Sequence, residues 1–196
     1  MSLDLIRAEF TNYDAYGIMD KWVEQTYYMC RQNPDSTRKK LKTDVTNRAR
    51  IRELHDQRSN KSGATFEKLG DRIDQLVRER NWTLEEIKKV GINNHYFDFH
   101  WITSKGAKQY LEEIKRELEI AAEKSAGNNI EVNIIVGKGK HSKASQRKGN
   151  ENKSTLKTIL VEEFGHCLKP KSSEDGVLVL TIRKKMTYRE AIRVIR

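Results

Sequence analysis

The chain contains few cysteines and no long apolar segment. Cys30 and Cys167 are its two cysteines, and neither belongs to a CxxC pair. This spacing argues against a disulfide framework and against a cysteine-ligated zinc site, and it suits a reducing compartment. No segment approaches the roughly 20 apolar residues that a membrane-spanning helix needs. Residues 1–10 include Asp4, Arg7 and Glu9, which a signal peptide would not carry in this pattern. We therefore expect a cytoplasmic protein, with the nucleus as the alternative, and no membrane partner.

Acidic residues are too few to balance the basic ones. The 196 residues include 38 Lys and Arg against 28 Asp and Glu, which gives a net charge of +10, and the pI is about 9.5. A surface of this charge favours polyanionic partners, nucleic acid first. A basic protein without a nucleic-acid partner is the plain alternative, because charge alone does not distinguish the two.

The helical pattern of the first half of the chain ends near residue 91. Residues 1–91 are predicted to form a helical N-terminal extension, in which residues 33–36 are interpreted as a break and 45–58 as a helix. Residues 94–185 alternate between strands and helices in the order β-α-β-α-β-β, and residues 186–196 are predicted to form a C-terminal helix.

This order of elements predicts the fold class. The strands are expected over residues 95–100, 130–136, 166–169 and 176–182, and the last is nearly continuous in apolar residues, so it should be central. The economical packing is an α/β (α+β) two-layer sandwich, in which two helices cover a four-stranded mixed sheet.

Asp98 and His100 lie two residues apart in the first predicted strand. Alternate residues of a strand share one face, with Cα atoms about 6.5–7 Å apart. An aspartate at this distance can orient an imidazole for proton transfer or help to hold a divalent metal, and either role suits phosphodiester cleavage. The polar face of an edge strand is the plain alternative.

Gly137 and Gly139 follow the second predicted strand. Glycine accepts positive φ and lets the backbone approach a ligand closely. The same turn carries positive charge, a titratable group and a hydroxyl, on Lys138, Lys140, His141 and Ser142. It is neither a Walker A loop nor a dinucleotide-binding fingerprint, because both glycine patterns are absent. A tight turn without a ligand explains the glycines equally well.

These two segments are expected to meet at one edge of the sheet. A right-handed crossover makes the first two strands parallel, so their carboxyl ends open on the edge where α/β sheets bind ligands. Trp101 is placed to stack on an unpaired base, with partial burial as the alternative. Further basic residues should contact phosphate and make binding salt-dependent, namely Lys143, Arg147, Lys148 and Lys169.

Three segments of residues 94–185 resemble the Smr (small MutS-related) domain family. Residues 97–100, Phe-Asp-Phe-His, match the family's L-D-x-H strand. Residues 135–142, Ile-Val-Gly-Lys-Gly-Lys-His-Ser, match its [TH]-G-x-G-x-H-S loop, and residues 169–179 match its closing strand pair. Trp101 departs from the pattern, because many members have glycine after the histidine.

The resemblance implies a fold like the C-terminal domain of bacterial translation initiation factor three, together with endonuclease activity. Members of the family nick DNA or cut messenger RNA on ribosomes. The resemblance also implies that Asp98 and His100 are the catalytic pair, and that Gly137, Lys138 and Gly139 contact the phosphate.

We therefore predict an endonuclease that cleaves RNA, with ribosome-associated messenger RNA as a candidate substrate. His100 is the expected general base or acid, Asp98 orients it, and His141 is a second proton-transfer group. Cleavage through the 2′-hydroxyl of RNA requires no cofactor, whereas DNA nicking needs an activated water and hence a divalent ion such as Mg²⁺. The alternatives are a DNA-nicking endonuclease, a non-catalytic module that binds nucleic acid or the ribosome, and a protein-interaction scaffold.

Overall fold

The computed structural model describes residues 2–11, 20–124, 129–137 and 155–183. The helices before the first strand are α1 (Leu3–Thr11), α2 (Asp20–Met29), α3 (Pro34–Ser59), α4 (Gly63–Arg80) and α5 (Leu84–Lys88). The chain continues as β1 (His95–Asp98), α6 (Ser104–Lys124), β2 (Ile130–Ile135), α7 (Leu156–Phe164), β3 (Leu168–Pro170) and β4 (Val177–Ile182). The predicted β-α-β-α-β-β order is confirmed, and the predicted helix at 186–196 lies outside the described residues. Within the described ranges, none of the helices has the length and apolarity to cross a bilayer.

The described strands form one mixed sheet in the order β1-β2-β4-β3. The first two strands are parallel, as predicted, and Asp98 lies opposite Ile135 at their carboxyl ends. β4 is antiparallel to both of its neighbours, β2 and β3, which confirms its predicted central place. The two parallel strands therefore end side by side at one edge of the sheet, where the chain leaves β1 toward α6 and leaves β2 at Val136 and Gly137.

Helices α6 and α7 cover one face of this sheet. Leu111 and Leu118 of α6 and Leu160 of α7 are buried in one core with Phe97 and Ile134 of the sheet. Burial of each such side chain stabilises the fold by about 1.5–3 kcal/mol. The heptad-like spacing of apolar residues along α6 is what makes the helix lie on the sheet in this orientation.

The N-terminal helices cover the other face of the sheet at β1 and β2. Trp22 of α2 and Leu41 of α3 pack with Tyr96 of β1 and Ile135 of β2. All four residues of β1 are buried, because both of its faces are covered. The prediction of two layers therefore omitted one: α2 and α3 form a third layer on this face of the sheet.

The free edge of β1 is closed by side-chain amides instead of another strand. Gln25 of α2 accepts from Tyr96 N at 2.6 Å and donates to Tyr96 O at 2.9 Å. Asn81, directly after α4, accepts from Asp98 N at 2.7 Å and donates to Asp98 O at 3.0 Å. These amides satisfy backbone groups that an edge strand would otherwise expose. They also attach the strand that carries Asp98 to two of the N-terminal helices.

Helix α3 begins where a break was predicted. The Asn33 side chain accepts from Ser36 N at 2.9 Å, and Pro34 occupies the first helical turn. Both residues are favourable at a helix N-terminus, because the cap satisfies an orphan N–H and proline lacks one. The helix is 26 residues long, so its start is not at Val45 as predicted.

Helices α4 and α6 meet through a buried carboxylate. Asp74 accepts from Thr103 N and from Thr103 Oγ1, both at 2.7 Å. Thr103 Oγ1 in turn accepts from Gly106 N at 3.0 Å and caps α6. A Cβ at Gly106 would lie 2.1 Å from Asp74 Cγ, so this contact requires glycine.

Gly106→Ala should therefore lower the free energy of unfolding by about 1–3 kcal/mol, because the methyl group displaces Asp74 from Thr103. Gly70→Ala in α4 is the matched control. A Cβ there would approach Arg58 Nε at 3.3 Å, far less closely than the 2.1 Å at Gly106, and alanine gains up to about 1 kcal/mol of helix propensity. Urea unfolding measures both variants, and equal free energies of unfolding for the two would contradict the role of the Asp74 contact.

Candidate active site at the carboxyl ends of β1 and β2

The side chain of Asp98 forms a turn directly after β1. Its Oδ1 accepts from the backbone N of His100 at 2.8 Å, which is an Asx turn. The same oxygen lies 2.9 Å from Nδ1 of the His100 ring. His100 therefore lies in a turn, and not on the strand as predicted. The contact with Asp98 is nevertheless direct, because the turn folds the ring back onto the carboxylate.

This contact determines which ring nitrogen of His100 can exchange a proton with a ligand. A carboxylate accepts hydrogen bonds, so Nδ1 donates to Asp98 and the lone pair of the neutral ring is on Nε2. The side chain of His100 is 20% exposed, whereas that of Asp98 is 2% exposed. Nε2 is therefore the ring nitrogen that can accept a proton from a ligand, and the Asp98 carboxylate is buried next to Nδ1.

Gly137 lies against the Nε2 side of the His100 ring. It has φ +75°, and a Cβ built on it would lie 2.8 Å from His100 Nε2. Both observations require glycine at this position. The structure therefore brings Asp98, His100 and Gly137 together at the ends of the parallel strands. A ligand that contacts Nε2 therefore also lies close to the backbone of Gly137.

Two buried arginines partner the Asp98 carboxylate. Arg48 of α3 donates through Nη2 to Asp98 Oδ2, and Arg80 Nη2 lies 3.6 Å from the same oxygen. Burial raises the pKa of Asp98, but the guanidinium groups of Arg48 and Arg80 outweigh burial and lower it well below its ordinary value. Asp98 is therefore a carboxylate anion throughout the physiological pH range.

The arginines also hold the backbone of the turn and a second carboxylate. Arg80 Nη2 donates to the carbonyl of His100 at 3.2 Å. Arg48 Nε donates to Oδ2 of Asp44 at 2.8 Å, and Arg80 Nε lies 3.7 Å from Oδ1 of Asp44. Two cations and two anions are thus enclosed together, all four side chains at most 2% exposed.

Sequence reasoning did not identify Asp44, Arg48, Arg80 or Asn81 as site residues. The one available signal was helical spacing: Asp44 and Arg48 lie on the same side of α3 as the apolar residues Leu41 and Ile51. Charged residues on the inward side of a helix indicate a buried ion pair. Their partner across the fold cannot be read from the spacing.

Trp101 follows His100 with an unusual backbone conformation. Its φ is +65°, in the left-handed region that glycine prefers. The ring is half-buried against the main core, and it lies 6.1 Å from the His100 ring between centroids. The carbonyl of Trp101 accepts from His55 Nε2 at 2.7 Å. The indole is thus beside the site and partly packed, which leaves base stacking as a prediction.

The remaining predicted site residues either lie away from the carboxyl ends of β1 and β2 or fall outside the described residues. Lys169 is exposed on β3, at the edge of the sheet opposite β1. Three strand spacings of about 4.8 Å separate the two edges. Lys138, Gly139, Lys140, His141, Ser142, Lys143, Arg147 and Lys148 lie outside the described residues.

His95 on β1 is not a second proton-transfer candidate. It is buried and stacks edge-on against Phe97, with ring centroids 5.6 Å apart. Burial lowers the pKa of His95 to about 3, so the ring is neutral and enclosed at physiological pH. Among the described residues, no cluster of three or more His, Cys, Asp and Glu side chains is arranged to hold a metal ion.

Comparisons of this chain with known protein families, with curated proteins and with solved structures find no match.

Asp98→Asn should destabilise the protein by about 3–5 kcal/mol at pH 7, because it leaves Arg48 and Arg80 short of one buried anion. The pKa of Asp98 is lowered in the folded state from its ordinary 3.8. Its ion pairs therefore stabilise the fold above this value and are lost as the pH falls through the folded-state pKa. Below pH 4, the wild type should lose free energy of unfolding with falling pH more steeply than Asp98→Asn.

Urea unfolding at pH 7 and at several values below pH 4 measures both effects. Asp56→Asn, an exposed position on α3, is the control and should change the free energy of unfolding by less than about 0.5 kcal/mol. If Asp98→Asn were as stable as this control, the arginines would not depend on the carboxylate.

Proposed function

We propose that this chain is a nucleic-acid endonuclease of Smr type and that RNA is its substrate. The observation that carries the proposal is the orientation of His100, whose Nδ1 lies 2.9 Å from Asp98 while Nε2 lies against the turn at Gly137. An imidazole oriented by a buried carboxylate is suited to general base catalysis. Its place at the carboxyl ends of parallel strands is where α/β sheets bind ligands.

The proposed reaction uses the substrate's own nucleophile. His100 Nε2 accepts the proton of a ribose 2′-hydroxyl, and the oxygen attacks the adjacent phosphorus. The bond from phosphorus to the 5′-oxygen breaks, which leaves a 2′,3′-cyclic phosphate and a 5′-oxygen that takes up a proton. His141 is the predicted donor of that proton. The backbone at Gly137 and the lysines of the following loop would offset charge on the phosphate.

The contacts of Asp98 favour this route over metal-assisted DNA nicking. One carboxylate oxygen is engaged by His100 and the other by Arg48 and Arg80. A divalent ion would have to displace one of these partners to reach the carboxylate, so these residues do not fit an Mg²⁺ site. His100 without a metal can activate a 2′-hydroxyl, which DNA lacks.

Binding without cleavage is the second candidate function. It is favoured by the complete pairing of Asp98 within the fold, since a carboxylate that holds helices together needs no catalytic role. The net charge of +10 suits either function. Tight, salt-dependent binding of RNA by a wild-type protein that does not cut it would support this second candidate and contradict the first.

His100→Gln should lower the RNA cleavage rate by about 10²–10⁴-fold while RNA affinity stays within a few-fold, because the amide keeps a polar contact but cannot accept the proton. The matched control is His166→Gln, which changes an exposed histidine in the turn before β3 and should cleave like the wild type.

The assay uses end-labelled single-stranded RNA, the same RNA with one 2′-deoxy nucleotide at the cleaved position, and supercoiled plasmid DNA, each with and without EDTA. RNA cleavage that resists EDTA and is blocked by the 2′-deoxy substitution is expected. Equal cleavage by His100→Gln and the wild type would remove His100 from the mechanism, and EDTA-sensitive nicking of the plasmid would favour the DNA alternative.

A further inference from the structure

Four buried charges lie behind the His100 ring, and they belong to three different elements. Asp44 and Arg48 are on α3, Arg80 ends α4, and Asp98 ends β1. We refer to these four residues as the buried charge cluster. Arg48 bridges the two carboxylates, and Arg80 lies 3.7 Å from Asp44 and 3.6 Å from Asp98. Two positive and two negative groups leave the cluster with no net charge.

A neutral cluster affects an imidazole differently from a lone carboxylate. An isolated anion at 2.9 Å would favour the protonated ring strongly, because opposite charges within about 4–6 Å favour the charged form. Here Arg48 donates to the other oxygen of Asp98 and Arg80 Nη2 lies 3.6 Å from it, so two cations lie close to the carboxylate that contacts the ring. Two further titratable groups of the described residues lie on this side: His55 donates to the carbonyl of Trp101, and Tyr110 interacts electrostatically with Arg80.

We propose that Asp44, Arg48 and Arg80 are positioning residues for His100: they hold the Asp98 carboxylate that orients the imidazole, and the balance of their charges is coupled to protonation of the ring. A general base must be unprotonated to accept a proton, so a change in the charge of the cluster should change the pH range in which the ring can react. The catalytic consequence rests on the proposed function. The N-terminal helices then contribute to the site itself, since Asp44, Arg48 and Arg80 all lie within them.

Three variants of α3 test the balance, because they change its charge in different directions. Arg48→Met removes a cation and leaves the cluster negative, so His100 should titrate at higher pH by about one unit. Asp44→Asn keeps an acceptor for Arg48 and leaves the cluster positive, so His100 should titrate at lower pH by a smaller amount. Arg48→Lys keeps the charge, so the titration should stay in place while RNA cleavage falls about tenfold through lost bidentate geometry.

Two measurements on the full chain follow these shifts. NMR titration of the ring protons of His100 gives its midpoint without any requirement for activity, and the exposed His166 serves as the internal control in the same spectra. The pH–rate profile of RNA cleavage should show its acid limb moving in the same direction as the NMR midpoint. A merely structural role for the cluster would lower stability in Arg48→Met and Asp44→Asn alike, without opposite shifts.

The inference is overturned if the His100 midpoint is unchanged in both Arg48→Met and Asp44→Asn while circular dichroism shows both to be folded. If Arg48→Met does not fold, Asp44→Asn and Arg48→Lys decide the matter: a lower midpoint in the first with an unchanged midpoint in the second supports the inference, and equal midpoints overturn it. Opposite NMR shifts in a protein that does not cleave RNA would support the charge balance and contradict only the proposed function.

Discussion

The carboxylate of Asp98 carries a buried charge, and the surrounding structure supplies a partner for each of its oxygens. The effective penalty for placing an unpaired ion in a protein interior is several kcal/mol. Because Arg48 and Arg80 come from α3 and α4, the strand cannot take this position without those helices. The same requirement operates in reverse, since both guanidinium groups are buried and need the anion. The ion pairs of Asp98 with Arg48 and Arg80 therefore make the N-terminal helices and the sheet depend on each other at this edge.

Most of the α/β region could be predicted from the sequence, because its elements follow simple hydrophobic periods. The β-branched run of 130–136 and the apolar run of 176–182 predicted β2 and β4 to within a residue at each end. The convergence of Asp98, His100 and Gly137 followed from topology, since a crossover helix makes successive strands parallel and brings their ends together. Short-range pattern and one general rule of chain geometry were sufficient for these residues.

The helices were harder to predict where charged residues occupy the inward positions. Helix α3 has Thr37, Asp44 and Arg48 among its buried residues, so its apolar face looks thin although the helix is continuous. The same charges form the back of the site. Arg48 pairs with Asp98, 50 residues further along the chain, and Asp44 pairs with Arg80, about 36 residues further along. No local pattern predicts pairings over such distances. The charged residues that made this helix look thin in the sequence, so that its start was placed at Val45 and not at Pro34, are thus among those that connect it to His100.

The turn from Asp98 to Trp101 shows how rigid this site is. A tryptophan at φ +65° costs on the order of 1 kcal/mol or more relative to glycine, and such strain persists only where neighbouring groups hold it in place. Here Asp98 holds the backbone N–H and ring of His100, Arg80 donates to the carbonyl of His100, and His55 donates to the carbonyl of Trp101.

These contacts come from the strand and from two helices, so they restrain the turn from both sides. A flexible turn would have to pay conformational entropy each time the imidazole was aligned with a substrate. A turn that is held in advance has already met that cost on folding. Under the proposed function, the contacts that hold Trp101 at positive φ thus also fix the orientation of His100 before a substrate arrives.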